Sequence, residues 1–226
     1  MGEARKAMFV TGGGSGIGRA VARYFTGRGW FVGLADISAG GMAETAALLP
    51  PGASSTHRLD VRDRAGWDAA LAEFMAASGG RIDVLFNNAG IAHGGPLLEH
   101  TTKQVDELID INLRGVIYGA LAGHPHLKAT PGSCLLNTCS AAAFYGSPGL
   151  SVYAATKFGV RAMTEALEIE WAADGIKVRD LMPGFIDTPL LAGPSGASNV
   201  SKRQRVIDAG LEFTPIEEVA QKAWDA

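Results

Sequence analysis

The side chains best suited to proton chemistry lie in the stretch SVYAATKFGV, residues 151–160, where a tyrosine and a lysine stand four positions apart. On a helix that spacing puts Tyr153 and Lys157 on one face, about a turn from each other. Ala154, Ala155 and Thr156 between them are too small to shield one head group from the other. A phenol has an ordinary pKa of about 10, too high for an efficient base near neutrality. A neighbouring ammonium favours the phenolate and lowers that value. A surface pair on an amphipathic helix has the same spacing, so the rest of the chain decides between structure and chemistry.

A second stretch offers a place for an anion. VTGGGSGIGRAVA (10–22) sets Gly12, Gly16 and Gly18 in the order G-x-x-x-G-x-G, with Ser15 and Ile17 in the same turn. Glycines let the backbone turn sharply and approach a diphosphate, and N–H groups at the start of the following helix bind anionic oxygens. No Gly-Lys-Ser/Thr follows, so this is not a kinase-like phosphate loop. Asp36 comes eighteen residues after Gly18, at the end of an apolar run. A carboxylate so placed accepts the ribose hydroxyls of an adenosine and repels a 2′-phosphate. Ile37 and Ser38 bring no cation, and Ser15 is not basic, so the pattern favours NAD over NADP. The plainer alternative is that Asp36 caps the next turn. Asp60 and Val61, read as closing a third strand, are placed to bond the adenine amino group and cover its ring.

These residues need a scaffold. Apolar runs predict strands at 7–11, 30–36, 54–61, 82–88, 133–140 and 176–184, and helical stretches near 17–28, 40–49, 64–78, 103–122 and 151–173. Runs such as DVLF are apolar throughout, as strands buried on both faces are. Repeated β–α–β order with right-handed crossovers predicts an α/β fold, a doubly wound parallel sheet of Rossmann type with helices on both faces. The 226 residues suit one domain, and 47% hydrophobic with 19% charged residues suits a buried core.

Other classes are disfavoured. A net charge of −3 is too small for a nucleic-acid footprint. The basic cluster SKRQR (201–205) lacks interleaved aromatics and reads as a solvated face in a polar loop. No apolar run approaches ~18 residues and the start is not a signal peptide, so no membrane is expected. The initial Met-Gly is followed by Lys6, where myristoylation wants Ser or Thr. Cys134 and Cys139, at odd spacing on one predicted strand, point to opposite faces and read as reduced core residues of a cytoplasmic protein. No metal site is expected; His124 and His126 flank a proline near a predicted helix end and read as capping or loop residues. Residues 192–202 are the loosest segment.

With these residues in hand, the chain resembles the short-chain dehydrogenase/reductase superfamily, in its shorter main branch, from about residue 7 to residue 190. TGGGSGIG is similar to that branch's cofactor turn, NNAG (87–90) to its fourth-strand motif, and IN (111–112) to its helical asparagine. Ser140, Tyr153 and Lys157 are similar to its Ser…Tyr-x-x-x-Lys set, and PGFIDT (183–188) to its Pro-Gly-x-x-x-Thr. The glycine spacing and NNAG set the chain apart from the longer epimerase and dehydratase branch. The resemblance implies that Asn88, Ala89, Gly90, Pro183, Gly184, Ile186 and Thr188 join the glycine turn, Asp36, Asp60, Val61, Tyr153 and Lys157 around NAD.

It also implies a reaction: hydride transfer between NAD and a secondary alcohol or ketone. Tyr153 is then the general acid and base, its pKa lowered by the Lys157 ammonium and the positive nicotinamide together, Lys157 bonds the nicotinamide ribose, and Ser140 donates to the substrate oxygen. Asn112 would hold a water that carries the proton onward; a bent helix with a bound water accounts for an asparagine at mid-helix. The pocket is expected from 141–150, 91–95 and a mobile segment at about 185–212, which are mostly apolar or small. The expected substrate is a fairly hydrophobic small-molecule alcohol or ketone, with His93 either touching it or facing solvent. The family pairs through the helices at 103–122 and 151–173, where Ala162 and Ala166 allow close packing, so a homodimer or homotetramer is implied. Relatives continue past a helix like TPIEEVAQKAWDA into a seventh strand and a tail. This sequence stops within that helix, leaving the sixth strand as an expected sheet edge. The rival reading is a non-catalytic dinucleotide-binding redox sensor or regulatory protein, which would keep the glycine turn and Asp36 but have no use for Ser140, Tyr153 and Lys157 together.

Overall fold

Six short strands form where the expected apolar runs lie, in a computed structural model that describes residues 5–195 and 198–226. They are β1 (Ala7–Thr11), β2 (Phe31–Asp36), β3 (Ser54–Arg58), β4 (Val84–Asn87), β5 (Cys134–Thr138) and β6 (Lys177–Leu181). All pair in parallel, in the order β3-β2-β1-β4-β5-β6. β3 is shorter than its sequence suggested. The Asp60 carbonyl accepts from the Asp63 N–H at 2.9 Å and its carboxylate from the Arg62 N–H at 3.0 Å, so Asp60 and Val61 lie in a turn beyond the strand.

The helices are α1 (Gly16–Thr26), α2 (Ala39–Ala47), α3 (Arg64–Ala77), α4 (Thr102–Ile109), α5 (Gly115–Lys128), α6 (Ser151–Glu170), α7 (Lys202–Asp208) and α8 (Ile216–Asp225). Side chains alternate across the sheet. Phe9 joins Trp67, Leu71, Phe74, Leu85 and Leu135 under α3, α5 and α6. Met8 and Val10 join Val21, Phe25, Leu34, Phe86 and Val219 under α1, α2 and α8. Each such side chain contributes about 1.5–3 kcal/mol by leaving water. The doubly wound arrangement is therefore the expected one.

Several local expectations need correction. The single helix at 103–122 is two helices joined by a π turn at Asp110–Arg114, where the Gly115 N–H reaches back to the Asp110 carbonyl. The second helix runs on through Pro125 to Lys128, so His124 and His126 lie inside it. His124 Nε2 meets Asp174 Oδ2 at 2.8 Å. Cys139 lies past the end of β5; both thiols are free, and burial raises their pKa values, that of Cys134 to about 11. The segment at 185–212 carries a short antiparallel pair, β7 (Pro194–Ser195) with β8 (Ser198–Ser201), and then α7. Gly196 and Ala197 of that segment, and the initial Met-Gly, lie outside the described residues. Among the described residues, no helix is long and apolar enough to cross a membrane, and no cluster of His, Cys, Asp and Glu could hold a metal.

Buried polar ties hold the strand ends in register. Thr11 Oγ1 accepts from the N–H groups of Asn88 (2.9 Å) and Ala89 (3.0 Å), while Asn88 Nδ2 donates to the Thr11 carbonyl at 2.9 Å. Thr138 Oγ1 donates to Asn88 Oδ1 at 3.1 Å. Asn87 Nδ2 donates to Asn137 Oδ1, and Asn137 Nδ2 to Thr164 Oγ1, linking β4, β5 and α6. Losing an acceptor for a buried N–H costs about 1–3 kcal/mol. Thr11→Val keeps the shape but strands two such groups, so it is expected to lower stability by about 2 kcal/mol in urea titrations. Thr11→Ser should recover most of that, and a Thr11→Val protein as stable as the wild type would contradict the assignment.

Candidate active site

The strand order reverses between β1 and β4, which opens a crevice at the carboxyl ends of the strands. The glycine turn fills one side of it. Gly12 has φ +68°, a region L side chains rarely adopt, and a Cβ on Gly18 would strike the Gly12 carbonyl oxygen. The start of α1 can therefore press against the end of β1 only with glycines at both positions. Ser15, the residue just before α1, is exposed and its side chain makes no capping bond, which leaves first-turn N–H groups for an anion. A Cβ on Gly12 would touch Asn88 and Ala89, and one on Gly16 would come within 3.5 Å of Thr188. The turn thus borders NNAG on one side and PGFIDT on the other, a cradle that fits a dinucleotide diphosphate.

Asp36 caps the turn, as its plainer reading expects. Its Oδ2 accepts from the Gly14 N–H at 3.0 Å, and its Oδ1 accepts from the Ser38 N–H at 2.9 Å. It caps the turn and still sets a half-exposed carboxylate at the rim of the cradle. Arg19 was missed from sequence. It donates to the Gly14 carbonyl at 2.6 Å and to Thr45 Oγ1 at 2.9 Å, and pairs with Glu44 at 2.9 Å. A cation does stand near this corner, neutralised by Glu44. Asp60 is held by Arg62 in a two-pronged ion pair that keeps its carboxyl below the usual range. Val61 is buried beside Gly115, and its carbonyl accepts from Trp67 Nε1 at 3.0 Å.

The catalytic candidates sit across the crevice. α6 places Tyr153 and Lys157 on one face, with Lys157 Nζ 5.8 Å from the phenol ring centre. Lys157 is 4% exposed, and its ammonium donates to the Thr138 carbonyl at 2.8 Å. Burial pushes its pKa down to about 8, with only the Cys139 thiol opposing. The lowering expected at Tyr153 counted the charge of the nicotinamide as well as that of Lys157, and in the protein alone the shift runs upward. Burial pushes its phenol up, and the hydrogen bond with Ser140 only partly offsets that. Desolvation is the largest cause, and the Cys139 thiol adds to it. Ser140 Oγ accepts from the Ala142 N–H at 3.1 Å, which leaves its own proton to donate.

Asn112 is fully buried in the π turn, not a surface residue. Its Oδ1 accepts from the Ile91 N–H at 2.9 Å and its Nδ2 donates to the Ile91 carbonyl at 2.8 Å. The side chain pins the loop after β4, so the water expected of it would have to share groups already bonded. A Cβ on Gly90 would lie 3.3 Å from Asn112 Oδ1 and 3.9 Å from Lys157 Nζ, so NNAG ends directly before the ammonium.

Ser140 and Tyr153 open into one cavity of about 540 Å³. Its wall includes Ile17, Pro183, Gly184, Ile186 and Thr188 from the expected cofactor set. Tyr145, Leu150, Phe185, Leu190, Val206 and Leu211 make it largely apolar. Phe144 points away, under the Arg161 guanidinium, and His93 sits 3.5 Å from Glu107 of α4, outside the wall. The basic cluster at 201–205 is solvated only in part: Arg203, Gln204 and Arg205 are exposed, with Arg203 paired to Asp187 at 2.8 Å, whereas Lys202 is half-buried in the wall of this cavity, which Arg205 also lines.

Comparison with known proteins agrees with this geometry. The family model for short chain dehydrogenases matches residues 6–196. Meso-2,3-butanediol dehydrogenase of Serratia marcescens is 33% identical, over 83% of this chain and 74% of that protein. Cis-4-hydroxycyclohexanecarboxylate dehydrogenase of Sinomonas cyclohexanicum is 37% identical, over 85% and 79%. Among solved structures, the 3-ketoacyl-(acyl-carrier-protein) reductase of Brucella melitensis complexed with NADH superposes with a TM-score of 0.86 at 29% identity, covering 98% of this chain and 90% of that one.

The Lys157 environment carries a stability consequence. Its pKa falls from an ordinary 10.5 to about 8 on folding. The charged form is therefore penalised by about 3 kcal/mol, in full below pH 8 and relieved as pH rises toward about 10.5. The bond to Thr138 that a methionine would forgo is worth about 1–3 kcal/mol. Lys157→Met is thus expected to melt no lower than the wild type at pH 7 without added cofactor. Its advantage should shrink between pH 8 and pH 10. A melting temperature several degrees lower at pH 7 would contradict this.

Proposed function

The chain belongs to the short-chain dehydrogenase family and is an oxidoreductase of alcohols and ketones, and we propose that it moves a hydride between NAD and a small, largely apolar secondary alcohol or ketone, with Tyr153 as general acid and base. The observation that carries this reading is the apolar cavity into which Ser140 and Tyr153 both open, with the Lys157 ammonium buried one helical turn away. One domain holds both sites. Gly12, Ser15, Gly16, Ile17 and Gly18 would cradle the diphosphate, Asp36 the adenosine ribose, and Pro183, Gly184, Ile186 and Thr188 the nicotinamide end. Asn88, Ala89 and Gly90 would form the floor. Asp60 would serve the adenine only by sharing its carboxylate with Arg62, and Val61 only from its buried edge. NAD, when bound, supplies a hydride acceptor for the carbinol carbon and a positive charge beside the phenol.

The side chains then divide the proton work. Ser140 donates to the substrate oxygen and holds it against the phenol. Tyr153 takes the hydroxyl proton in the oxidative direction and returns it in the reductive one. Lys157 has two ammonium protons beyond the one given to Thr138, one to hold a ribose hydroxyl and one toward the proton path. Asn112 is a positioning residue, fixing Ile91 and with it Gly90 before that ammonium. The reading of NAD rather than NADP is supported by the Asp36 carboxylate at the cradle rim and by Glu44, which pairs with Arg19. The structurally similar 3-ketoacyl reductase holds NADH. We extend the proposal to a homodimer or homotetramer through α4, α5 and α6, where Ile117, Leu121, Phe158 and Ile169 are exposed apolar residues.

A screen of secondary alcohols with NAD⁺, read by the absorbance of the reduced nicotinamide, tests the reaction. Tyr153→Phe is expected to bind NADH within a few-fold of the wild type and to lose about 10²-fold or more in kcat. Full activity in that variant would refute the assignment. Tight NADH binding with no turnover of any alcohol by the wild type would favour the sensor reading. Asp36→Ala is expected to narrow the preference for NAD over NADP about tenfold, the loss of one like-charge repulsion; an unchanged ratio would remove Asp36 from the cofactor site.

A further inference from the structure

Lys202 carries a positive charge into the wall of the substrate cavity. Its Nζ donates to the Ala92 carbonyl at 2.7 Å and to the Leu190 carbonyl at 3.0 Å. The side chain is half-buried, and burial alone pushes its pKa down, with no acidic group holding it up. Among the described residues no carboxylate pairs with it, whereas its neighbour Arg203 is paired with Asp187 outside the cavity. An ammonium has three donors, and two carbonyls use two of them. A partly desolvated charge without a counter-ion is unfavourable, and neutral carbonyls offset it only in part. Arg205, three residues on, adds a second cationic side chain to the same wall. Most of the remaining wall is apolar, so the cavity offers an anion little competition from protein groups.

We propose that Lys202 recognises an anionic group, a carboxylate above all, on the substrate, so that this enzyme prefers hydroxy and keto acids to neutral alcohols. The proposal rests on the oxidoreductase reading and names its substrate class. A carboxylate of the bound molecule takes the third ammonium donor and completes the ion pair that the protein leaves open. The same two carbonyl bonds join the segment after β6 to the loop after β4. A mere latch between those segments would affect acids and neutral molecules alike. An anion could also come from the cofactor's diphosphate, so the test separates these sources.

Calorimetry on the full chain with NADH present would compare straight-chain and cyclohexane carboxylic acids with their matched carboxamides, for the wild type, Lys202→Met and Lys202→Arg. The wild type is expected to bind at least one acid about tenfold more tightly than its amide. Lys202→Met should abolish that difference while leaving amide and NADH affinities within about twofold, and Lys202→Arg should keep part of it. A wild type with no acid preference would overturn the proposal. So would a Lys202→Met protein that keeps the preference, that weakens acid and amide equally, or that loses affinity for NADH instead. Acid-selective binding lost in Lys202→Met, without turnover of any hydroxy acid, would uphold the anion site and sink the oxidoreductase reading separately.

Discussion

The Lys157 ammonium is buried against the Thr138 carbonyl with no carboxylate beside it, and the rest of the site is arranged around that charge. Folding disfavours it by about 3 kcal/mol relative to water, a sizeable share of a domain's net stability. In return the charge makes one hydrogen bond to the Thr138 carbonyl, worth about 1–3 kcal/mol. What it provides is a fixed positive potential under a phenol, in a cavity where screening by water is weak. In the protein alone the phenol is not acidic, since burial raises its pKa. The proposed mechanism calls for a second positive charge on the open side, which a cationic ring in the crevice between β1 and β4 would supply.

The scaffold serves this arrangement with buried polar ties, which specify register better than apolar packing can. Thr11 joins the ends of β1 and β4, Asn88 receives Thr138 from β5, and Asn137 reaches Thr164 on α6. The Cys139 thiol donates to the Lys157 carbonyl at 3.2 Å, fixing α6 at the level of the ammonium. The π turn adds the last element. Its extra residue turns Asn112 inward, where its amide grips Ile91 on both sides. Thr138, Cys139 and Asn112 thus tie the surroundings of the ammonium to neighbouring elements.

Much of this was legible in the sequence, for physical reasons that differ by element. The sheet and its helices follow from apolar runs and their periodicity, because a doubly covered strand such as VLFN tolerates little else. The glycine turn and the Tyr153–Lys157 pair follow from spacing, since one backbone conformation and one helical turn fix what those residues can touch. Three features were out of reach. The balance of desolvation against charge at Tyr153 depends on what packs around the hydroxyl, which spacing does not report. Asp60 looked free until the turn after β3 brought Arg62 onto it. Lys202 looked solvated, because a run of charges in a polar segment gives no sign that one of them points inward; only the carbonyls of Ala92 and Leu190, distant in sequence, reveal it.

The central claim is that the phenol becomes a usable base only when the buried ammonium is joined by the charge of the oxidised nicotinamide. Ultraviolet difference titration of Tyr153, with Tyr153→Phe subtracted to remove Tyr24, Tyr118 and Tyr145, reads this directly. The phenol is expected to titrate above its ordinary value of about 10 in the protein alone, and to fall by several units toward neutrality with NAD⁺ bound. The same titration midpoint with and without NAD⁺ would contradict it.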